Sequence, residues 1–149
     1  MAQFGIDHLI KHYEIQHPIL IDDSGLFINA LNGFPGVYSA YALKTISYQG
    51  ILKLMSGIQD RKAYFEASLA YKEPGREILF AHGRCDGEIS HEPMLGPQGF
   101  GFDPVFVPYV DLGKLADRSF SQMELVEKNV ISHRGKAVTD LINKLARSV

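Results

Sequence analysis

Four consecutive residues, Asp22-Asp23-Ser24-Gly25, carry the densest chemistry near the start of the chain. They follow Pro18-Ile19-Leu20-Ile21, an apolar run without alternation that reads as a short strand buried on both faces. Two adjacent carboxylates at the end of such a strand are costly unless a cation offsets their charge. Magnesium does this well: it takes carboxylate oxygens, keeps several waters and commonly bridges to phosphates. The Ser24 hydroxyl and the N–H groups at Ser24-Gly25 can then donate to a phosphate oxygen. Alone, the tetrapeptide reads equally as an acidic turn or helix cap. The apolar run before it favours a metal-and-phosphate corner.

Two further clusters bear on ligand chemistry. In Gly99-Phe100-Gly101-Phe102-Asp103-Pro104 the glycines let backbone approach a ligand closely, and the two aromatics suit stacking on a planar base. Asp103 can accept from ring N–H groups. A Gly-rich turn whose phenylalanines join the core fits the same residues. The second cluster is Ser132-His133-Arg134-Gly135-Lys136, with Ser132 as the N-cap of a final helix. Cations at a helix N-terminus oppose the macrodipole, so Arg134 and Lys136 call for a bound anion or base. Arg134 offers a planar fork for paired contacts, and Lys128 upstream adds a point charge for a phosphate.

The elements that must hold these residues are legible in outline. Ile6, Leu9, Ile10 and Tyr13 recur at helical spacing, with His8 and His12 on the solvated side. A second apolar stretch, Leu26 to Leu31, stops at the turn signal Asn32-Gly33-Phe34-Pro35-Gly36. A helix over Tyr48 to Met55 places Ile51, Leu54 and Met55 on one face and ends at Gly57. Ala63, Phe65, Ala67 and Leu69 alternate as in a strand, and Glu73-Pro74-Gly75-Arg76 turns the chain into Ile78-Leu79-Phe80. Gly87-Glu88-Ile89-Ser90 and Val105-Phe106-Val107 read as two more short strands. Ser121-Gln122-Met123-Glu124 has the form of a capping box that opens a helix. The last helix carries Val138, Leu141, Ile142 and Leu145 as its apolar stripe. No repeat or linker interrupts this order, so one α/β or α+β domain is expected.

Composition narrows the function classes. Of 149 residues, 46% are hydrophobic, and 15 Lys and Arg against 17 Asp and Glu leave a net charge of -2. That balance lacks the basic excess of a nucleic-acid-coating protein but leaves room for a nucleotide in a pocket. No apolar run reaches the length of a membrane span. The single cysteine, Cys85, excludes an intramolecular disulfide and fits a cytoplasmic setting. With no evident base beside it, Cys85 reads as inert.

From Pro18 onward the chain resembles the inosine/xanthosine triphosphate pyrophosphatases. The resemblance rests on Ile21-Asp22-Asp23-Ser24-Gly25-Leu26, Gly33-Phe34-Pro35-Gly36-Val37-Tyr38-Ser39, Gly99-Phe100-Gly101-Phe102-Asp103-Pro104-Val105-Phe106, and Glu127-Lys128 followed by Ile131-Ser132-His133-Arg134-Gly135. It implies a mixed, twisted sheet flanked by helices, with a cleft between two lobes, in a single domain over residues 1–149. It also implies magnesium-dependent hydrolysis of ITP, dITP or XTP to the monophosphate and pyrophosphate, by a cytoplasmic homodimer that binds neither nucleic acid nor membrane. By the same match Asp23 is metal ligand and proton acceptor, with Asp22 beside it on the metal. Ser24 and Lys128 meet phosphate, while Phe100, Gly101, Phe102, Asp103, His133 and Arg134 form the purine pocket. Phe102 stands where a Tyr is common. The family's N-terminal strand and its Ser/Thr-Asn-x-x-Lys phosphate loop have no counterpart in this sequence, and Glu14 does not fall at the family's metal position. The rival expectation is a purine-nucleotide-binding or dimer-forming remnant of that family without turnover.

Overall fold

The computed structural model describes residues 2–12 and 16–147; Tyr13 and Glu14 lie outside them. Helix α1 (Ala2–His12) leads to strand β1 (Ile19–Ile28), then helices α2 (Ser39–Thr45) and α3 (Ser47–Leu54). Strands β2 (Lys62–Lys72) and β3 (Leu79–Ile89) form a long hairpin, followed by β4 (Phe106–Val110) and β5 (Lys114–Leu115). Helices α4 (Leu125–Ile131) and α5 (His133–Arg147) close the fold.

The strands lie side by side in chain order, and every pairing among them is antiparallel. The expected mixed sheet is therefore absent among the described residues: each strand runs opposite to its neighbours, even where helices connect them, as between β1 and β2. Two short strands expected around Ile78–Phe80 and Gly87–Ser90 are the two ends of the single strand β3. Its alternating Ala81, Gly83, Cys85, Gly87 and Ile89 are all buried, and the residues between them are polar. The β2 alternation holds: Ala63, Phe65, Ala67 and Leu69 are buried.

One face of the sheet carries the core. Leu26, Ile28, Phe65, Cys85, Phe106 and Phe120 meet Ile51 and Met55 of the α3 segment there. Further along the same face, α5 lays Ala137 and Leu141 on Ala67, Leu69 and Ala81. Gly83 permits this close approach, since a Cβ on it would stand 2.0 Å from the His133 carbonyl oxygen and 2.4 Å from the Ala137 nitrogen. The α5 stripe is narrower than its sequence suggests, for Val138 and Ile142 are 45% and 59% exposed. Leu54 of α3 likewise faces out, while Ile51 and Met55 are fully buried and Tyr48 and Leu52 pack partly against the core.

On the other face α1 sets Ile6 against Ile21, Ala70 and Phe80, with His8 and His12 exposed and their rings 4.5 Å apart. The capping box lies two residues earlier than its motif implied. Ser119 and Gln122 make it around a short 3-10 turn, and α4 begins only at Leu125.

Candidate functional site

Strand β1 corrects the first expectation about the acidic corner. Asp22-Asp23-Ser24-Gly25 sits in the middle of a ten-residue edge strand, not at the end of a strand buried on both faces. Leu20, in the apolar run before it, is 53% exposed. Successive side chains on a strand point to opposite faces, so the two carboxylates diverge. Asp22 lies opposite Leu69, on the core face that α5 covers, whereas Asp23 lies opposite Ser68 on the other face. There Asp23 borders a small cavity of about 150 Å³ together with Gly36, Glu66 and Ser68.

Asp22 is engaged by the protein itself. One carboxylate oxygen accepts from Arg134 Nε at 2.7 Å and the other from the Ser24 hydroxyl at 2.7 Å. An Asp22–Asp23 pair sharing one magnesium ion therefore does not fit this geometry. Among the described residues, no group of three or more His, Cys, Asp or Glu side chains is placed to hold a metal.

The second and third clusters do come together. Ser24, Phe100, Gly101, Phe102, Asp103, Lys128, His133 and Arg134 all line one cavity of about 270 Å³, floored by Phe65. Two glycines with positive φ shape its rim, Gly99 at 89° and Gly101 at 66°. A Cβ on Gly99 would meet the Asp103 carboxylate at 2.6 Å. The loop thus separates its two aromatics. Phe102 turns into the core at 5% exposure, and Phe100 projects outward at 66%. Of the two rings, only Phe100 is exposed to meet a ligand face-on, and Phe102 belongs to the wall.

Asp103 is buried, and its Oδ2 accepts from the Phe100 backbone N–H at 2.7 Å and from Lys128 Nζ at 2.5 Å. Lys128 is accordingly a buried partner of Asp103, with its ammonium 5.3 Å from the Phe100 ring centre. Arg134 brackets the same ring, its Cζ 5.5 Å from the centre.

His133 opens α5 and is 95% enclosed; its ring stacks on Phe65 at 4.7 Å and 11°. Ser132 caps the helix as expected, its hydroxyl accepting from the Gly135 N–H at 3.1 Å. Burial, aided by the neighbouring Arg134 and Lys128 charges and opposed by Asp22, pushes the His133 imidazole down to about 4. It is therefore neutral at physiological pH, and its Nδ1 is buried without a hydrogen-bond partner among the described residues. A buried ring nitrogen without a partner costs free energy that a hydrogen bond would recover. Cys85, pushed up to about 11 by burial, is the inert thiol the sequence implied.

Three contributors escaped the sequence. Phe65 looked like an ordinary core position in an alternating strand, and only the strand register places it under His133. Ser39 accepts from the Leu26 N–H at 2.8 Å and donates to the Gly36 carbonyl at 2.7 Å, tying the Gly33–Ser39 motif to β1 beside the cavity. Glu66 shares the Asp23 side through sheet pairing, with no local motif to announce it.

The sequence profile of the Ham1 family matches residues 2–144. The chain belongs to the Ham1 family. A dITP/XTP pyrophosphatase of Thermococcus kodakarensis is 47% identical over all 149 residues, which span 76% of that relative. Among solved structures, a Ham1 protein of Staphylococcus aureus superposes with TM-score 0.74 at 30% identity, covering 97% of this chain and 86% of the other. A HAM1 protein of Coxiella burnetii gives TM-score 0.73 at 38% identity, covering 88% of this chain and 68% of its own. The Ham1 likeness thus runs through both the sheet and the cavity-bearing C-terminal helices. No helix of the described residues is long and apolar enough to cross a membrane.

Proposed function

We propose that this Ham1-family chain is a nucleoside triphosphate pyrophosphatase acting on non-standard purine nucleotides such as dITP, ITP and XTP. The observation that carries the reading is the enclosed, neutral His133 with an unpartnered Nδ1, set beside Arg134 in the cavity under Phe100. A 6-oxo purine presents an acceptor to the Arg134 guanidinium, which can only donate, whereas the amino group of adenine meets it as another donor. The names of the relatives, dITP/XTP pyrophosphatase, support the substrate class.

In this reading the purine enters the 270 Å³ cavity and stacks on Phe100, while the phosphates run across β1 toward Asp23. Water attacks the α-phosphorus, the bond to the β-phosphoryl oxygen breaks, and the products are the monophosphate and pyrophosphate. Asp23 takes the proton from the attacking water; Ser24, which borders both cavities, contacts phosphate. The described carboxylates do not cage a metal, so no step is assigned to magnesium. The same reading takes the chain as a homodimer. Phe34, Val37, Tyr38 and Tyr41, from 38% to 70% exposed, are apolar surface of the kind interfaces cover. Light scattering giving twice the chain mass is the expected result.

The test is product analysis with dITP, XTP and dATP, with magnesium and with EDTA. Pyrophosphate and dIMP from dITP, with dATP nearly inert, is the expected outcome. Release of orthophosphate sinks the pyrophosphatase assignment, and no turnover by a folded, nucleotide-binding sample sinks the enzymatic reading.

A further inference from the structure

Asp22 has the sequence context of a metal ligand and the structural position of something else. Strand alternation turns it away from Asp23 and onto the α5 side. Both of its oxygens are used within the protein, one by Arg134 Nε and one by Ser24 Oγ, each at 2.7 Å. Arg134 lies in the first turn of a 15-residue helix, where the macrodipole opposes a cation, so a facing carboxylate offsets an unfavourable placement. Arginine has five donors in a rigid plane, and fixing Nε fixes the direction of the rest. Asp22 takes only Nε; the two Nη groups have no partner among the described residues, and Arg134 borders the cavity.

We propose that Asp22 is a positioning residue for purine selection rather than a metal ligand. It holds the Arg134 fork so that its remaining donors serve an acceptor on the ligand ring, and Ser24 fixes the Asp22 carboxylate in turn. A 6-oxo group satisfies those donors. A 6-amino group in the same place leaves donor facing donor, so the energy of discrimination passes through the Asp22–Arg134 contact. The proposal rests on the purine pyrophosphatase reading above for the identity of the ligand, and on the geometry alone for the coupling between the two residues.

The test compares the 149-residue chain with its Asp22→Asn and Asp22→Glu variants. Asp22→Asn is expected to raise KM for dITP about 10-fold, about one charged hydrogen bond, with kcat changed less than about 2-fold. The dITP-over-dATP preference falls by a similar factor, the magnesium concentration for half-maximal rate stays put, and Asp22→Glu recovers part of the loss. A 10-fold rise in the magnesium requirement, or a fall in kcat with KM and purine preference unchanged, overturns the proposal. Two readouts are independent of turnover: the Arg134 Nε–H resonance should shift in Asp22→Asn, and calorimetry should find IMP bound more weakly by the variant. An unmoved resonance, or equal IMP affinity in both proteins, overturns the positioning role. Absence of hydrolysis by the wild-type chain overturns the enzymatic reading instead.

Discussion

Two ion pairs flank the same cavity, and they are built on opposite terms. Lys128–Asp103 is enclosed, its side chains 11% and 6% exposed; Arg134–Asp22 stands at the rim with 43% and 36%. A buried pair is held by its own desolvation, since removing one charge strands the other away from water. A half-exposed pair is worth on the order of 0–1 kcal/mol to folding, because water and salt compete with it. The inner pair therefore acts as scaffold: Asp103 also takes the Phe100 N–H and so fixes the loop that carries the exposed ring. The outer pair contributes little to folding and leaves the Arg134 Nη donors open at the rim. Recognition and stability are separated by a few ångströms of burial.

The sharpest way to break this contrast is Lys128→Met, which leaves Asp103 charged and unpaired. It is expected to cost about 3–5 kcal/mol, read from urea unfolding, and to lower Tm by roughly 10 °C. A cost near zero would place the inner pair with the outer one.

Next in size is the pH dependence of His133, which lies between the pairs. Its folded value of about 4 is below the ordinary 6.5, so the unfolded chain binds the proton more readily. This contribution is complete above about pH 6.5 and is lost as pH falls toward 4, to a total on the order of 3 kcal/mol. His133→Gln has no such titration, so the wild-type advantage in urea midpoint should shrink between pH 7 and pH 4. An advantage that grows on acidification would reverse the assigned sign.

Gly83→Ala sharpens the comparison further, because the added methyl pushes against the start of α5 and spares α4. It is expected to cost about 1–3 kcal/mol and to loosen the Arg134 side more than the Lys128 side. Proton exchange rising at the Arg134 Nε–H, with the Phe100 N–H still protected, is the pattern to look for. The smallest effect on folding belongs to Asp22→Asn, below about 1 kcal/mol by thermal melting. A larger loss would make the outer pair structural after all.

Much of this site was legible before any coordinates. The Ser132 cap, the helix after it, the β2 alternation and the Gly99–Asp103 loop each follow from local rules: a hydroxyl at a helix start, period two, glycine where φ is positive. Their convergence on one cavity is consistent with the ordered motifs that identified the family. The misreadings have a common cause. Asp22-Asp23 reads as a joint ligand because neighbours in sequence suggest neighbours in space, and a strand sends them apart. Phe100 and Phe102 looked alike, and a turn gave one to solvent and the other to the core. Lys128 reads from the sequence as a point charge, and the fold pairs it with Asp103, 25 residues away in sequence, in the interior.

What the sequence determined by itself is the family, the element types at most positions, and the inventory of donors, acceptors and rings. Those depend on residue identity and on periodicities that act over a few residues. What only the tertiary structure decided is pairing: which carboxylate meets which cation, which aromatic is wall and which is rim, and that His133 is neutral. Pairing and burial are set by strand register and by the fit of α5 over Gly83, long-range facts that short-range spacing does not encode.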